Sequence, residues 1–207
     1  MPASDKVYAI HQRVDALVTA LPELGTEPAD GGYAGWSFDP ACGTASPGLT
    51  LAGAGVLSLI KIPVRFLTTV SNVYIDIITA GATLTLNQCF AGLYTAAGSL
   101  IATSANQSVA WVGTGFITMA LTGAPFTIGG TAAGGFVWVA LLWNGTTAPL
   151  LYRGSGPTGA LAMQAGTLTA ATLRFGTVSA ANTTLPASFT PASIVSTNAS
   201  PWWAGIS

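Results

Sequence analysis

Phe136-Val137-Trp138-Val139-Ala140-Leu141-Leu142-Trp143 is an unbroken apolar run bounded by Gly135 and Asn144-Gly145. A membrane-spanning helix needs roughly 20 such residues, so the run is too short to cross a bilayer. A strand with one wet face would be polar at every second position. This segment is apolar at both parities, which predicts a central β-strand covered on both sides. Upstream, Asn72-Val73-Tyr74-Ile75-Asp76-Ile77-Ile78-Thr79 does alternate, placing Val73, Ile75 and Ile77 on one face.

Further strand-like runs surround these two. Leu57, Leu59, Lys61–Val70, Thr83–Leu86, Cys89–Thr95, Leu100–Thr103, Val109–Val112, Phe116–Leu121, Phe126–Ile128 and Leu168–Val178 are apolar or β-branched. Ala80-Gly81, Ala97-Gly98, Gly113, Gly123, Gly129-Gly130 and Asn144-Gly145 separate them, at the roughly 8–12 residue spacing of sandwiches and jelly rolls. No internal repeat stands out. The expected fold is mainly β: a jelly-roll-like antiparallel β-sandwich preceded by a short N-terminal coiled-coil helix. The expected divisions are a helix over 1–24, a Gly/Pro-rich linker over 25–50, a β head over 51–195 and an aromatic tail over 196–207.

The helix is predicted over residues 4–21. Ser4 suits an N-cap, Asp5 suits the positive end of the helix dipole, and Pro22 stops the helix. Val7, Ile10, Val14, Leu17 and Leu21 follow a 3-4-3-4 spacing, a narrow heptad seam suited to a partner helix. The alternative is an amphipathic helix lying on its own β domain. The narrow stripe and the linker favour self-association and attachment, and the widening of the seam by Ile10 and Val18 leans towards three strands. A seam of about two heptads is marginal alone and needs the following domain for support.

Charge narrows the functional classes. Only 6% of the 207 residues are charged, against roughly 25% in ordinary soluble domains. From residue 40 onward the charged side chains are Lys61, Arg65, Asp76, Arg153 and Arg174. Such a body lacks the paired carboxylates of glycoside hydrolysis, and its one histidine, His11, lies on the predicted helix. It offers no recognisable metal-ligand set and no phosphate loop, so an enzyme, a metal site and a cofactor are not expected. A net charge of −1 supplies no basic footprint for nucleic acid. No export signal or spanning segment is read, so synthesis in the cytoplasm is expected, with Cys42 and Cys89 unbridged. Sparse charge also predicts that copies of the chain cover one another.

Aromatic residues carry the binding signal. Trp138 belongs to the run buried on both sides and is expected in the core. Trp111 and Trp143 are the candidates for glycan contact, because aromatic faces stack on sugar rings. Trp202 and Trp203 are adjacent, and neighbours on an extended segment point to opposite sides. They are therefore expected to anchor a neighbouring subunit, ahead of serving as a sugar platform. Tyr33, Trp36 and Phe38 alternate in the linker and are expected to dock on the body or on a neighbour. Asp76, between Ile75 and Ile77, is expected to face solvent or the opposite sheet face, paired with Lys61 or Arg65 across strands, ahead of a ligand-contacting role.

Three groups of residues carry a family resemblance. The first is Asn87-Gln88-Cys89-Phe90-Ala91-Gly92-Leu93-Tyr94, followed by Ala97-Gly98-Ser99-Leu100-Ile101. The second is Asn106-Gln107-Ser108-Val109-Ala110-Trp111; the third is Phe136–Trp143 with Asn144-Gly145-Thr146-Thr147-Ala148-Pro149 and Arg153-Gly154. Across roughly residues 55–155 the chain resembles β-sandwich domains of virion proteins from actinobacterial bacteriophages, of the minor tail, fibre or head-decoration type. The resemblance implies a structural protein of the virion surface with no catalytic residues to carry over. The expected partners are further copies in a homotrimer, capsid or tail proteins, and host-surface glycan. The rival reading is a free carbohydrate-binding module or adhesin.

Overall fold

The computed structural model describes residues 27–64, 66–129, 135–155, 173–178, 181–195 and 200–207. The predicted helix over 1–24, with Val7, Ile10, Val14, Leu17 and Leu21, lies outside the described residues. The strands in chain order are β1 (Gly35–Trp36), β2 (Gly43–Thr50), β3 (Leu57–Pro63), β4 (Thr68–Val70) and β5 (Asn72–Thr79). They continue with β6 (Ala82–Leu84), β7 (Phe90–Tyr94), β8 (Leu100–Thr103), β9 (Gly115–Ala120) and β10 (Phe126–Ile128). The last are β11 (Phe136–Leu142), β12 (Gly145–Thr147), β13 (Leu150–Gly154), β14 (Phe175–Val178) and β15 (Gly205–Ile206). The chain is mainly β, and its strand pairings are antiparallel.

The apolar run is β11, the middle strand of a five-stranded sheet ordered β14-β3-β11-β7-β8. Its two parities enter two different cores. Val137, Val139, Leu141 and the following Trp143 belong to the larger cluster, which also takes Val73, Ile75 and Ile77 from β5. Trp138, Ala140 and Leu142 belong to a second cluster with Leu57, Leu59, Tyr94, Phe189 and Ile194. Each buried Leu, Ile or Val contributes roughly 1.5–3 kcal/mol, and two apolar faces are what make an eight-residue run worth its lost solubility. Trp138 is fully buried with its indole N–H unpartnered among the described residues. That N–H costs about 1–3 kcal/mol, less than the ~4–6 kcal/mol from burying 150–250 Å² of ring.

The second core is closed by the segment 181–195, which straps the outer face of the five-stranded sheet. Leu100 N–H donates to Ala187 O and Phe189 N–H to Gly98 O, each at 2.9 Å, and the Tyr94 hydroxyl donates to Pro186 O at 2.8 Å. The Phe189 ring packs edge-on against Tyr94 and Trp138, with centroids 5.2 and 6.2 Å apart. On the same face Lys61 lays its ammonium 3.9 Å from the centroid of Phe136. Burial, and then the charge of Arg174, push the Lys61 amine below its usual range.

The other large sheet holds β1-β15-β5-β13-β2, with β9 on the opposite edge of β5. Its inner residues and those of the five-stranded sheet share the larger cluster, so the sheets enclose one core between them. Two short pairs, β4 with β10 and β6 with β12, lie outside the two large sheets among the described residues.

Several expected boundaries are corrected. Within the expected 25–50 linker, the described residues 27–50 include β1 and β2, strands of the six-stranded sheet. β2 is an edge strand with little burial, so it tolerates Pro47 and Gly48 and shows no apolar period. Within the expected 196–207 tail, the described residues 200–207 are part of the sheet, because β15 pairs with both β1 and β5. Lys61–Val70 is interrupted after Pro63, and Val109–Val112 gives a 3₁₀ turn over Ala110–Val112 in place of a strand. Within Leu168–Val178 the described strand is Phe175–Val178.

Candidate functional site

β5 alternates as the sequence requires, and its outward residues Asn72, Tyr74, Asp76 and Ile78 stand on the outer face of the six-stranded sheet. Antiparallel register sets Ala120, Thr118 and Phe116 of β9 opposite Asn72, Tyr74 and Asp76. On the other side of β5, Gly205 stands opposite Tyr74. This grid holds no lysine or arginine.

Gly205 makes room for an aromatic. A methyl group there would meet the Tyr33 ring at 3.0 Å, so Tyr33 lies over the glycine. Tyr33 stands edge-on to Tyr74 (5.3 Å, 88°) and to Trp203 (6.0 Å, 87°). Burial, followed by neighbouring Tyr74, pushes its phenol above the usual range. Tyr74 and Phe116 are nearly parallel, with centroids 5.4 Å apart and 21° between planes. The Tyr74 hydroxyl is fixed by a 2.5 Å hydrogen bond with Ser207 Oγ. Phe116 is 52% exposed, although it sits in a sheet and touches Trp203 (6.0 Å). The result is a packed aromatic cluster in which Phe116 is the exposed outer ring.

Asp76 lies beside this surface, between the outward positions of Tyr74 and Ile78. Burial alone pushes its carboxyl above the usual carboxylate range. No cation is paired with it among the described residues. The expected pairing with Lys61 is therefore corrected: Lys61 lies on the outer face of the other sheet, over Phe136. Arg65 lies outside the described residues.

The tryptophans fall elsewhere than expected. Trp111 is fully buried in the larger core, its indole N–H unpartnered among the described residues. Trp143 is 5% exposed and its indole N–H donates to Ala52 O. Neither offers a face to a glycan. The predicted contact role is corrected for both, because the 3₁₀ turn carries Trp111 inward and Trp143 continues the inward parity of β11.

Trp202 and Trp203 do point to opposite sides, and their own chain covers both. Trp202 enters the larger core against Phe175 and donates to Thr50 O at 3.1 Å. Trp203, on the outer side, is covered by Tyr33 and Phe116 and donates to Phe38 O at 3.2 Å. The expected inter-subunit anchor is thus an intrachain one. What supplies the second cover is the 27–38 segment: Tyr33, Trp36 and Phe38 dock on their own body.

Cys42 is exposed and Cys89 buried, and both are free thiols. Among the described residues no group of three His, Cys, Asp or Glu is placed to hold a metal, and no helix is long and apolar enough to cross a membrane.

Sequence reasoning identified Asp76 as unusual but not its aromatic companions. The available signal was parity: in Phe116-Ile117-Thr118-Met119-Ala120 the phenylalanine shares the outward parity of Thr118 and Ala120. Compared with known proteins, the chain matches no family model and no curated protein.

Proposed function

We propose that this chain is a non-enzymatic virion surface protein of the bacteriophage tail-fibre or capsid-decoration kind, homotrimeric and adhesive. A jelly-roll-like β head presents the aromatic face of the six-stranded sheet. The N-terminal heptad segment, with Val7, Ile10, Val14, Leu17 and Leu21, forms a coiled coil that oligomerises the head and attaches it to capsid or tail proteins. The head reinforces the particle and adheres weakly to host-surface glycan.

The observation that carries this reading is the pairing of a nearly charge-free, two-core β body with an exposed aromatic–carboxylate face. A five-stranded sheet covered on both faces makes a rigid body, and a half-exposed aromatic on the facing sheet suits contact with another surface. The resemblance over residues 55–155 supplies the virion setting.

Antibody labelling and electron microscopy of assembled particles test it, together with sedimentation of the full chain. Particles should carry the protein at regular positions, and the free chain should sediment as a trimer at micromolar concentration. Ile10→Asp with Val14→Asp should abolish both while leaving the head folded. Particles without the protein, or a monomer in solution, would overturn the proposal.

A further inference from the structure

We propose that Tyr74, Phe116 and Asp76 form a binding site for an uncharged pyranose sugar, with the ring stacked on Phe116 and its hydroxyls donating to the Asp76 carboxylate. This rests on the adhesive reading above and gives that reading a site and a ligand chemistry.

A pyranose has one face of C–H groups and a rim of hydroxyls. The sheet offers the matching halves side by side. The C–H face requires a flat apolar partner that is already rigid and open to solvent. Phe116 is half exposed, lies nearly parallel to Tyr74 at 5.4 Å, and is backed by Trp203 at 6.0 Å. Tyr74 in turn is held by Ser207 Oγ at 2.5 Å and by Tyr33 edge-on at 5.3 Å. The platform is therefore organised before any ligand arrives, so little ordering entropy is lost on binding.

The hydroxyl rim requires acceptors next to that ring. Asp76 is the register partner of Phe116. An ionised carboxylate only accepts hydrogen bonds, through about four lone-pair sites. Such charge-assisted bonds are about twice as strong as neutral ones. The exposed Thr118 beside Tyr74 and the half-exposed Asn72 extend the polar edge.

Charge selects among ligands. The grid carries one carboxylate and no lysine or arginine, so an anionic polymer meets repulsion without a cation to hold it. A quaternary ammonium would need rings at right angles around an open box. Here the two outward rings are nearly parallel, and the perpendicular Tyr33 is packed over Gly205. Burial without a partner also works against the ionised form of Asp76, a strain that donated hydroxyls would relieve.

Affinity electrophoresis of the full chain through gels containing mannan, galactan or β-glucan tests the site, with alginate as the anionic control. Retardation by at least one neutral polysaccharide and none by alginate is expected. Phe116→Ala and the isosteric Asp76→Asn should each weaken it by about tenfold or more, with unchanged circular dichroism. The proposal is overturned if no neutral polysaccharide retards the chain, if alginate retards it equally, or if both variants bind as before. It is also overturned if Phe116→Asp lowers the sedimentation coefficient, which would make this face an interface between copies. Loss of retardation in chains that still decorate particles separates this site from the virion assignment, which fails only when particles lack the protein.

Discussion

Replacing Gly98 with alanine tests the strap that closes the second core. Gly98 has φ of +87°, and a methyl group there would lie 2.1 Å from the backbone oxygen of Phe189. The left-handed conformation costs an alanine roughly 1–2 kcal/mol by itself. The collision cannot be relieved by a side-chain rotation, because the obstacle is backbone, so residues 186–190 must move off the sheet. That movement breaks the hydrogen bonds from Phe189 N–H to Gly98 O and from Leu100 N–H to Ala187 O, each 2.9 Å. It also loosens the Phe189 ring from Tyr94. Together these losses amount to about 2–4 kcal/mol on top of the strain. Gly123 supplies the control: its φ is +81°, but its nearest atom would be Phe126 Cζ at 3.7 Å, so alanine there carries the strain alone. Urea unfolding followed by tryptophan fluorescence should therefore place Gly98→Ala about 2–4 kcal/mol below Gly123→Ala. Limited proteolysis should cut the first variant within 181–195. Equal stability of the two variants, within about 1 kcal/mol, would refute the strap's role in closing the second core.

Two further outcomes follow from the six-stranded sheet. Asp76 has a folded-state pKa raised by burial, so the folded chain holds its proton more tightly than the unfolded chain. Its ionisation therefore removes stability as pH rises from the ordinary aspartate range through the raised value. Asp76→Asn should melt higher than the parent at pH 7, with the difference vanishing below the ordinary aspartate pKa; thermal melts across pH read this directly. Trp203→Ala should cost about 3–5 kcal/mol, because its cover comes from Tyr33 and Phe116 of the same chain. That loss should be independent of protein concentration, whereas a dilution-dependent loss would restore the inter-subunit role.

The strands with strong apolar patterns were legible in the sequence. β11 declared its two cores by being apolar at both parities, and β5 declared its inner face through Val73, Ile75 and Ile77. β2 and β15 were not legible, for opposite physical reasons. β2 is a largely exposed edge that selects for no apolar period, and Gly205-Ile206 is too short to show one. The tryptophans misled because type alone does not tell coverage. Adjacency correctly set Trp202 and Trp203 on opposite sides, but the cover over Trp203 comes from the 27–38 segment, far away in sequence. The candidate face depends on the same kind of information: Tyr74 and Phe116 become neighbours through the β5–β9 register, which composition cannot show.

The placement of β15 also governs how this chain reaches its native state. Ser37 Oγ accepts from Ala204 N–H across 167 residues, and Asn72 meets Ser207 across 135. Loop-closure entropy grows only logarithmically with length, by about 0.6 kcal/mol per doubling, so these distant contacts weigh little on the final equilibrium. Their weight falls on the rate, since non-local pairing must wait for a long search and places such topologies in the millisecond-to-second range. Throughout that search, the flanks of β1 and β5 that β15 will occupy present unpaired N–H and C=O groups. An open slot of this kind is a template for a strand from any nearby chain. The concentration at which folding chains meet, more than the stability they finally attain, then decides how many close on themselves.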